Sequence, residues 1–231
     1  MRVLAGLAAL SALAFAPLGA EAATLSFSQF FPGGNNLAPS QTPQSFAGTD
    51  WDGTTQSVTL PQFNPALGTL TGVDLLLYGN VNSSGSLRND GDSTADIDAY
   101  SASLNITVGA PGLTVPLVVS PELFNFTNAS VDAGDTLTFG PVNSFDTNSA
   151  ASGSLAPYLG TDNLTFPLFT ETGLSSAATG GNLRIEQNTQ ARAEVTVTYT
   201  YDLAATAVPE PASAALLGAG LLGLGLLRRR L

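Results

Sequence analysis

The sequence predicts an all-β domain, an antiparallel β-sandwich of the jelly-roll or immunoglobulin-like kind, built from many short strands. The strongest observation is the segment from Arg192 to Leu203, where polar and apolar residues alternate without interruption. This alternation places one set of side chains, which includes Val197, on the core and the other set, which includes Arg192, in water. Turn-forming residues separate shorter apolar runs, and no amphipathic helix of useful length occurs.

The remaining strand candidates follow the same reasoning along the chain. Alternation is clear at 73–81 and at 100–108. Weaker candidates lie at 25–31, 56–60, 113–119, 136–139, 164–169 and 183–186. The alternating segment from Arg192 to Leu203 is expected to pair inside a sheet. Its buried residues should be Ala193, Val195, Val197, Tyr199, Tyr201 and Leu203.

Both ends of the chain have the composition of targeting segments. Met1-Arg2 is a positively charged start, an apolar run follows, and Ala20-Glu21-Ala22 matches the small-residue pattern of a signal-peptide cleavage site. An uncleaved N-terminal helix is the less favoured alternative. The predicted division is a signal peptide at 1–22, a β domain at 23–203 and a C-terminal segment at 204–231.

The C-terminal segment has three parts with different physical roles. Its residues are Val208, Pro209, Glu210 and Pro211, then an apolar run at 212–227, then Arg228, Arg229 and Arg230. The prolines keep the first part extended, because they fix φ and donate no backbone hydrogen bond. In lipid the apolar run satisfies its backbone only as a transmembrane helix, and the arginines stop translocation and stay in the cytoplasm.

This tail closely resembles the PEP-CTERM sorting signal of exported proteins from Gram-negative bacteria. The resemblance implies recognition by an exosortase, a membrane cysteine transpeptidase, and removal of the tail near the Val-Pro-Glu-Pro tetrad. It also implies a cell-surface or extracellular location and association with exopolysaccharide and biofilm matrix. The alternative is a plain single-pass anchor, although the 16-residue apolar run spans roughly 24 Å, less than the roughly 30 Å core of a bilayer.

The composition of the β domain excludes several classes of function. Three arginines stand against sixteen carboxylates between 23 and 203, a net charge of −13 that would repel a nucleic-acid partner. The chain has no cysteine and no histidine, which excludes disulfides, thiolate or imidazole zinc sites, and Ser-His-Asp or Cys-His catalysis. We therefore expect no cofactor and no enzymatic activity, although carboxylate chemistry, hydroxyl nucleophiles and oxygen-ligated metals stay open.

The β domain is also similar to the bacterial choice-of-anchor E domain, a β-rich exported module. The similarity is carried by three segments, at 60–65, 67–70 and 193–201, which read LPQFNP, LGTL and AEVTVTYTY. It extends over most of 56–203 and implies neither a known activity nor site residues. The stretch from Pro32 up to Thr54 fits it less well and is expected to be a loop.

A weak candidate calcium loop contains four aspartates: Asp90, Asp92, Asp96 and Asp98. Carboxylates at such spacing bind calcium in EF-hand loops, but Ala95 stands where such a loop needs glycine, and Ser101 stands where it needs glutamate. A solvated hairpin loop is the favoured interpretation, so our prediction is that no metal is bound.

Trp51 lies between Asp50 and Asp52, a combination that sugar-binding and sugar-cleaving sites use. A tryptophan that covers one end of the sandwich is the favoured alternative. Three classes of function remain: a non-enzymatic surface or matrix protein, a glycan- or calcium-dependent binding module, and a carboxylate-only hydrolase. The first is our prediction. An exposed patch shared by Trp51 and the aspartates would favour the second, and a cleft with paired acids would favour the third.

Overall fold

The computed structural model describes residues 22–33 and 45–204, together with Gly218 and Gly220. The described residues form ten strands and two single-turn 3-10 helices, at Pro65–Leu67 and Ala156–Tyr158. The strands are β1 Ala22–Phe31, β2 Ala47–Gly48, β3 Asp52–Pro61, β4 Gly68–Asn89, β5 Ala95–Val108, β6 Leu117–Val119, β7 Glu122–Val131, β8 Thr136–Ala151, β9 Asn163–Thr179 and β10 Leu183–Leu203. The all-β prediction is therefore confirmed for this part of the chain.

The strands pair in two antiparallel sheets. In sheet 1 the order is β1-β10-β4-β8, and β2 pairs with the same edge of β10 as β1. In sheet 2 the order is β3-β9-β5-β6, and β7 also pairs with β5. The centre of sheet 1 is the β10–β4 pair, which runs from Leu183–Asn89 to Leu203–Gly68 with one bulge between Thr200 and Tyr201. The first and last strands of the described domain are thus direct neighbours.

The inner faces of the two sheets form one hydrophobic core. Sheet 1 contributes fully buried side chains such as Leu77 and Val197, and sheet 2 contributes others such as Ile106. A Cβ atom added at Gly79 would lie 2.6 Å from Cγ2 of Val119, so the sheets approach each other closely there. Two antiparallel sheets with a shared core have the arrangement of a β-sandwich. The finer jelly-roll or immunoglobulin-like assignment stays a prediction.

Most strands are longer than the sequence predicts, but the strand predicted at 113–119 is shorter: β6 covers only Leu117–Val119, because Leu113 belongs to a turn that its N–H closes on the carbonyl of Ala110. β4, β8, β9 and β10 contain 22, 16, 17 and 21 residues, and β10 joins two segments that were predicted separately. The polar stretch between these segments stays extended because it pairs with β4 residue by residue. β7 is not predicted at all, because asparagine, serine and threonine on its exposed face break the apolar pattern. The short β2 and the start of β3 also lie in the stretch that was expected to be a loop.

The prediction for the last strand is largely confirmed. Ala193, Val195, Val197 and Tyr199 are fully buried, and Tyr201 packs against the same core. Leu203 is the exception, since 48% of it is exposed. It is the last residue of the strand.

At one end of the domain the loops are joined through the side chain of Asn89, which is fully buried. Its Nδ2 donates to the carbonyl of Ser93 at 2.7 Å and to that of Val131 at 3.0 Å. Its Oδ1 accepts from the backbone N–H of Gly91 at 3.0 Å and from that of Asn182 at 2.9 Å. These four bonds satisfy the whole amide and join the β4–β5 loop, the end of β7 and the β9–β10 loop.

Buried tyrosines form further hydrogen bonds inside the sandwich. The Tyr199 hydroxyl donates to the carbonyl of Pro61 at 2.8 Å, and the Tyr158 hydroxyl donates to that of Pro111. Burial raises the pKa of Tyr199 strongly, and the neighbouring Tyr158 raises it further. Burial also raises the pKa of Tyr158 and of Tyr100. The folded state therefore favours the neutral form of all three phenols.

Candidate functional site

The residues predicted to direct processing lie almost entirely outside the described residues. This holds for Ala20, for the tetrad at 208–211 and for Arg228, Arg229 and Arg230. Ala22 is described: it is exposed and begins β1, opposite Asp202. Cleavage after Ala22 would therefore remove one residue from the end of an edge strand. No helix in the described part of the chain is long and apolar enough to cross a membrane.

The aspartate segment does not assemble a metal site in the structure. Asp90 accepts a hydrogen bond from Nε of Arg88 at 2.7 Å and lies 3.7 Å from Nε of Arg184. Asp96 and Asp98 are exposed on β5. Within the ranges that the structure covers, no three acidic side chains lie close enough to hold one metal ion. Arginines therefore pair with Asp90. Asp96 and Asp98 point from β5 into solvent.

Trp51 is a core residue. It is 4% exposed, and its indole Nε1 donates to the carbonyl of Gly48 at 2.7 Å. Phe31 packs edge-on against it, with the ring centroids 5.0 Å apart. Its ring is therefore covered by protein and shares no exposed patch with the aspartate segment. Beside it, the Thr54 hydroxyl and then the Thr54 backbone donate to Asp52 and lower the pKa of that carboxyl.

Three surface cavities lined by described residues bear on the hydrolase alternative. Their volumes are about 360, 460 and 560 Å³. Each is lined by a single carboxylate: Asp50 in the first, Glu186 in the second and Glu122 in the third. Glycoside hydrolysis commonly needs two carboxyl groups facing one bond. None of these three cavities supplies such a pair.

A different group of side chains crosses the outer face of sheet 1. We call it the aromatic–arginine row, and it consists of Phe30, Arg192, Asn80, Tyr78 and Phe145. The β10–β4 register sets Arg192 directly opposite Asn80, and the β4–β8 register sets Asn80 opposite Phe145. Phe30 pairs with the position two residues after Arg192. Because side chains alternate along a strand, all five point away from the core that their neighbours fill.

Two members of the row are buried although they lie on the outer face. Arg192 is 7% exposed and Asn80 is 6% exposed, which corrects the prediction that Arg192 points into water. Arg192 Nε and Asn80 Oδ1 are both buried without a hydrogen-bond partner among the described residues. Arg192 forms no ion pair in that part of the chain either. An unpartnered buried donor therefore lies in register with an unpartnered buried acceptor, at a cost in folding free energy.

Aromatic rings flank this polar pair on both sides. The Phe30 ring covers the guanidinium, with its centroid 4.3 Å from Cζ of Arg192, a cation–π contact. On the other side Tyr78 and Phe145 stack, with centroids 5.8 Å apart and ring planes 26° from parallel. Phe145 is 65% exposed, and the Tyr78 hydroxyl accepts from Asn80 Nδ2 at 3.1 Å. The row is a polar pair between a covering ring and an open aromatic platform.

Sequence reasoning missed the row because its members come from four strands. Phe30 and Arg192 are far apart in sequence and become neighbours only through the register of β1 on β10. One local signal was present: Arg192 is the one basic residue in the alternating segment. The alternation assigned it to the outer face correctly, but no pattern within the segment could reveal the rings that bury it.

Comparison with known proteins bears on the tail. Residues 207–230 match the PEP-CTERM protein-sorting motif, and this range contains the tetrad, the apolar run and the three arginines. The motif indicates an exported protein that is sorted by an exosortase and is associated with the membrane before processing. It says nothing about the β domain, for which the similarity to the choice-of-anchor E domain stays a prediction.

Two further comparisons concern the chain as a whole. No curated protein matches the chain in sequence. A chain in the structure of the infectious bursal disease virus Gx strain aligns with 84% of this chain at 9% identity and a TM-score of 0.12. The present chain spans 45% of the length of that viral chain. A TM-score this low carries no argument about fold or function.

Proposed function

We propose that this protein is a non-enzymatic component of the cell surface or extracellular matrix of a Gram-negative bacterium. Its signal peptide directs export, the tail holds it at the membrane in transit, and an exosortase removes the tail. The mature β domain then associates with exopolysaccharide in the biofilm. The observation that carries this proposal is the sorting motif at 207–230, which begins four residues after β10 ends.

The β domain supports a structural or binding role over a catalytic one. The chain has neither cysteine nor histidine, which removes most nucleophile–base pairs. The described cavities each offer one carboxylate. The net charge of −13 between 23 and 203 keeps copies soluble and apart.

The test is the intact mass of the protein from its own host, compared with that from a strain without the exosortase. In the wild-type strain we expect a mass that lacks residues 1–22 and the tail beyond the tetrad, in the surface or matrix fraction. In the exosortase-deficient strain we expect a membrane-bound form that keeps Arg228, Arg229 and Arg230. If the wild-type strain also keeps these arginines and leaves the protein in the membrane, the tail is a plain anchor and the proposal fails.

A further inference from the structure

We propose that the aromatic–arginine row on the outer face of sheet 1 binds a neutral glycan. One sugar ring would stack on the Tyr78–Phe145 platform, and a hydroxyl group of the glycan would bridge Arg192 and Asn80. This proposal deepens the function proposed above by naming a surface and a ligand class, and it rests on display of the domain among polysaccharides. Its own support is the geometry of the row.

The polar pair determines which chemical group fits. Arg192 Nε can only donate a hydrogen bond, and Asn80 Oδ1 can only accept one. Both are buried and unpartnered within the described structure. A hydroxyl group accepts and donates at once, so one sugar hydroxyl has the chemistry to pair with both atoms, whose residues lie opposite each other in the β10–β4 register. A carboxylate or sulfate would accept from Arg192 but would place negative charge against the oxygen of Asn80.

The charge around the row also favours a neutral ligand. Glu194 follows Arg192 on the same face of β10 and is opposite Phe30. The domain as a whole carries a net charge of −13. An anionic polysaccharide would therefore be repelled at long range and would meet a carboxylate beside the one cation of the row.

The aromatic platform supplies the apolar half of sugar recognition. The face of a pyranose ring presents C–H groups, which pack on an aromatic ring while the hydroxyls at its rim form hydrogen bonds. Phe145 is exposed beside the half-buried Tyr78, and the two rings are nearly parallel. A few polar groups placed beside an aromatic surface are the usual composition of a ligand site.

Access to the guanidinium of Arg192 requires the Phe30 ring to move. Arg192 Nε and Asn80 Oδ1 are both buried, and the Phe30 ring lies over the guanidinium. A cation–π contact of this kind is weak enough for hydrogen bonds to a sugar to replace it. The Phe30 ring therefore rotates away from Arg192 when a glycan binds. The NMR resonances of Phe30 then report binding directly.

The test measures glycan binding and stability on the same protein, purified from its host whether or not the tail has been removed. The neutral probes are cellohexaose, maltohexaose, mannohexaose and xylohexaose, and the anionic probe is a galacturonate hexamer. Binding is followed by calorimetry, and Phe30 by NMR of protein labelled on phenylalanine. We expect saturable binding of at least one neutral probe, with a shift of the Phe30 resonances, and no binding of the galacturonate.

Two variants and one control separate a binding site from a structural cluster. Phe145→Ala should weaken neutral-glycan binding at least tenfold and leave the melting temperature nearly unchanged, because the ring is exposed. Arg192→Met keeps an apolar stem under Phe30 and removes the unpartnered charge. It should abolish binding while stability stays equal or rises. Leu174→Ala, an exposed apolar truncation on sheet 2, should change neither.

The outcomes are decisive in both directions. Failure of all four neutral probes to bind overturns the proposal, as does binding of the galacturonate alone. A large loss of stability in Arg192→Met with unchanged glycan affinity shows a structural cluster instead. Because the assay is independent of processing, a protein that keeps its tail yet binds glycan refutes the proposed sorting and leaves this inference standing. A processed protein that binds none of the probes refutes this inference and leaves the proposed sorting standing.

Discussion

The Asn89 amide provides the sharpest test of how the sandwich is held together. Replacing Asn89 with alanine removes both hydrogen bonds donated by Nδ2 and both accepted by Oδ1. A neutral hydrogen bond contributes about 1 kcal/mol net, and more where its loss leaves a buried group unpaired. Four such bonds give a loss of about 4 kcal/mol in the free energy of unfolding.

This loss should be easy to measure. In a domain of this size 1 kcal/mol corresponds to about 2–4 °C in melting temperature, so Asn89→Ala should melt about 8–16 °C below wild type. Urea unfolding can be followed through the fluorescence of Trp51, which is the one tryptophan of the chain and is buried. The change in midpoint at constant slope then gives the loss directly.

Two further variants locate the cause. Asn89→Asp keeps the two accepted bonds but turns a carboxylate oxygen toward the carbonyls of Ser93 and Val131, so it should destabilise at least as much as alanine. Asn125→Ala is the matched control, since that side chain is exposed on β7 and forms no hydrogen bond within the described residues. It should change stability by less than about 0.5 kcal/mol. A loss below about 1 kcal/mol in Asn89→Ala would refute the reasoning.

Three other expectations can be checked separately. Val197→Ala should cost about 1–3 kcal/mol in urea unfolding, because Val197 is fully buried on β10, and a cost near zero would remove it from the core. Since burial raises the pKa of Tyr199 and of the other two buried tyrosines, the folded state keeps protons that the unfolded chain loses. These groups therefore leave stability unchanged below about pH 10 and reduce it as the pH rises further, as urea unfolding across that range should show. In the tail, alanine at both Pro209 and Pro211 should let the apolar helix extend and leave an unprocessed, membrane-bound protein. Neutral residues at 228–230 should instead let the precursor pass through unsorted, so fractionation should find the two variants in different compartments.

The sequence predicted the core of the domain better than its outer surface. Alternation along β10 predicted which face Val195 and Val197 bury, because that pattern is local and the core selects for it. The same rule placed Arg192 on the outer face correctly, but it wrongly predicted that the side chain is exposed to water. Its burial depends on Phe30, which belongs to the first strand and becomes a neighbour only through pairing. Asn89 is similar, since its four partners lie in two loops and at the end of β7, which no periodicity joins.

Local sequence patterns also failed to predict the length of the strands. Gln187 and Thr189 interrupt the apolar periodicity of β10, yet both are satisfied inside the sandwich, where Gln187 Nε2 donates to Thr189 Oγ1 at 2.9 Å. The Tyr100 hydroxyl donates to Gln187 Oε1 at 2.8 Å. A polar residue that finds its partners across the sheets does not end a strand, but the sequence alone presents it as a break.

The position of β10 has a consequence for the order of events during export. The last strand of the domain is a central strand of sheet 1, and it pairs with the first strand, as in the Ser26–Thr198 hydrogen bond that joins residues 172 apart. A chain that emerges from its N-terminus exposes β1 and β4 long before their shared partner arrives. Contacts this distant in sequence form slowly and leave sheet edges unpaired meanwhile. The domain therefore completes its fold only when the strand immediately before the sorting motif has crossed, so the arrival of the processing signal and the closure of the sheet coincide.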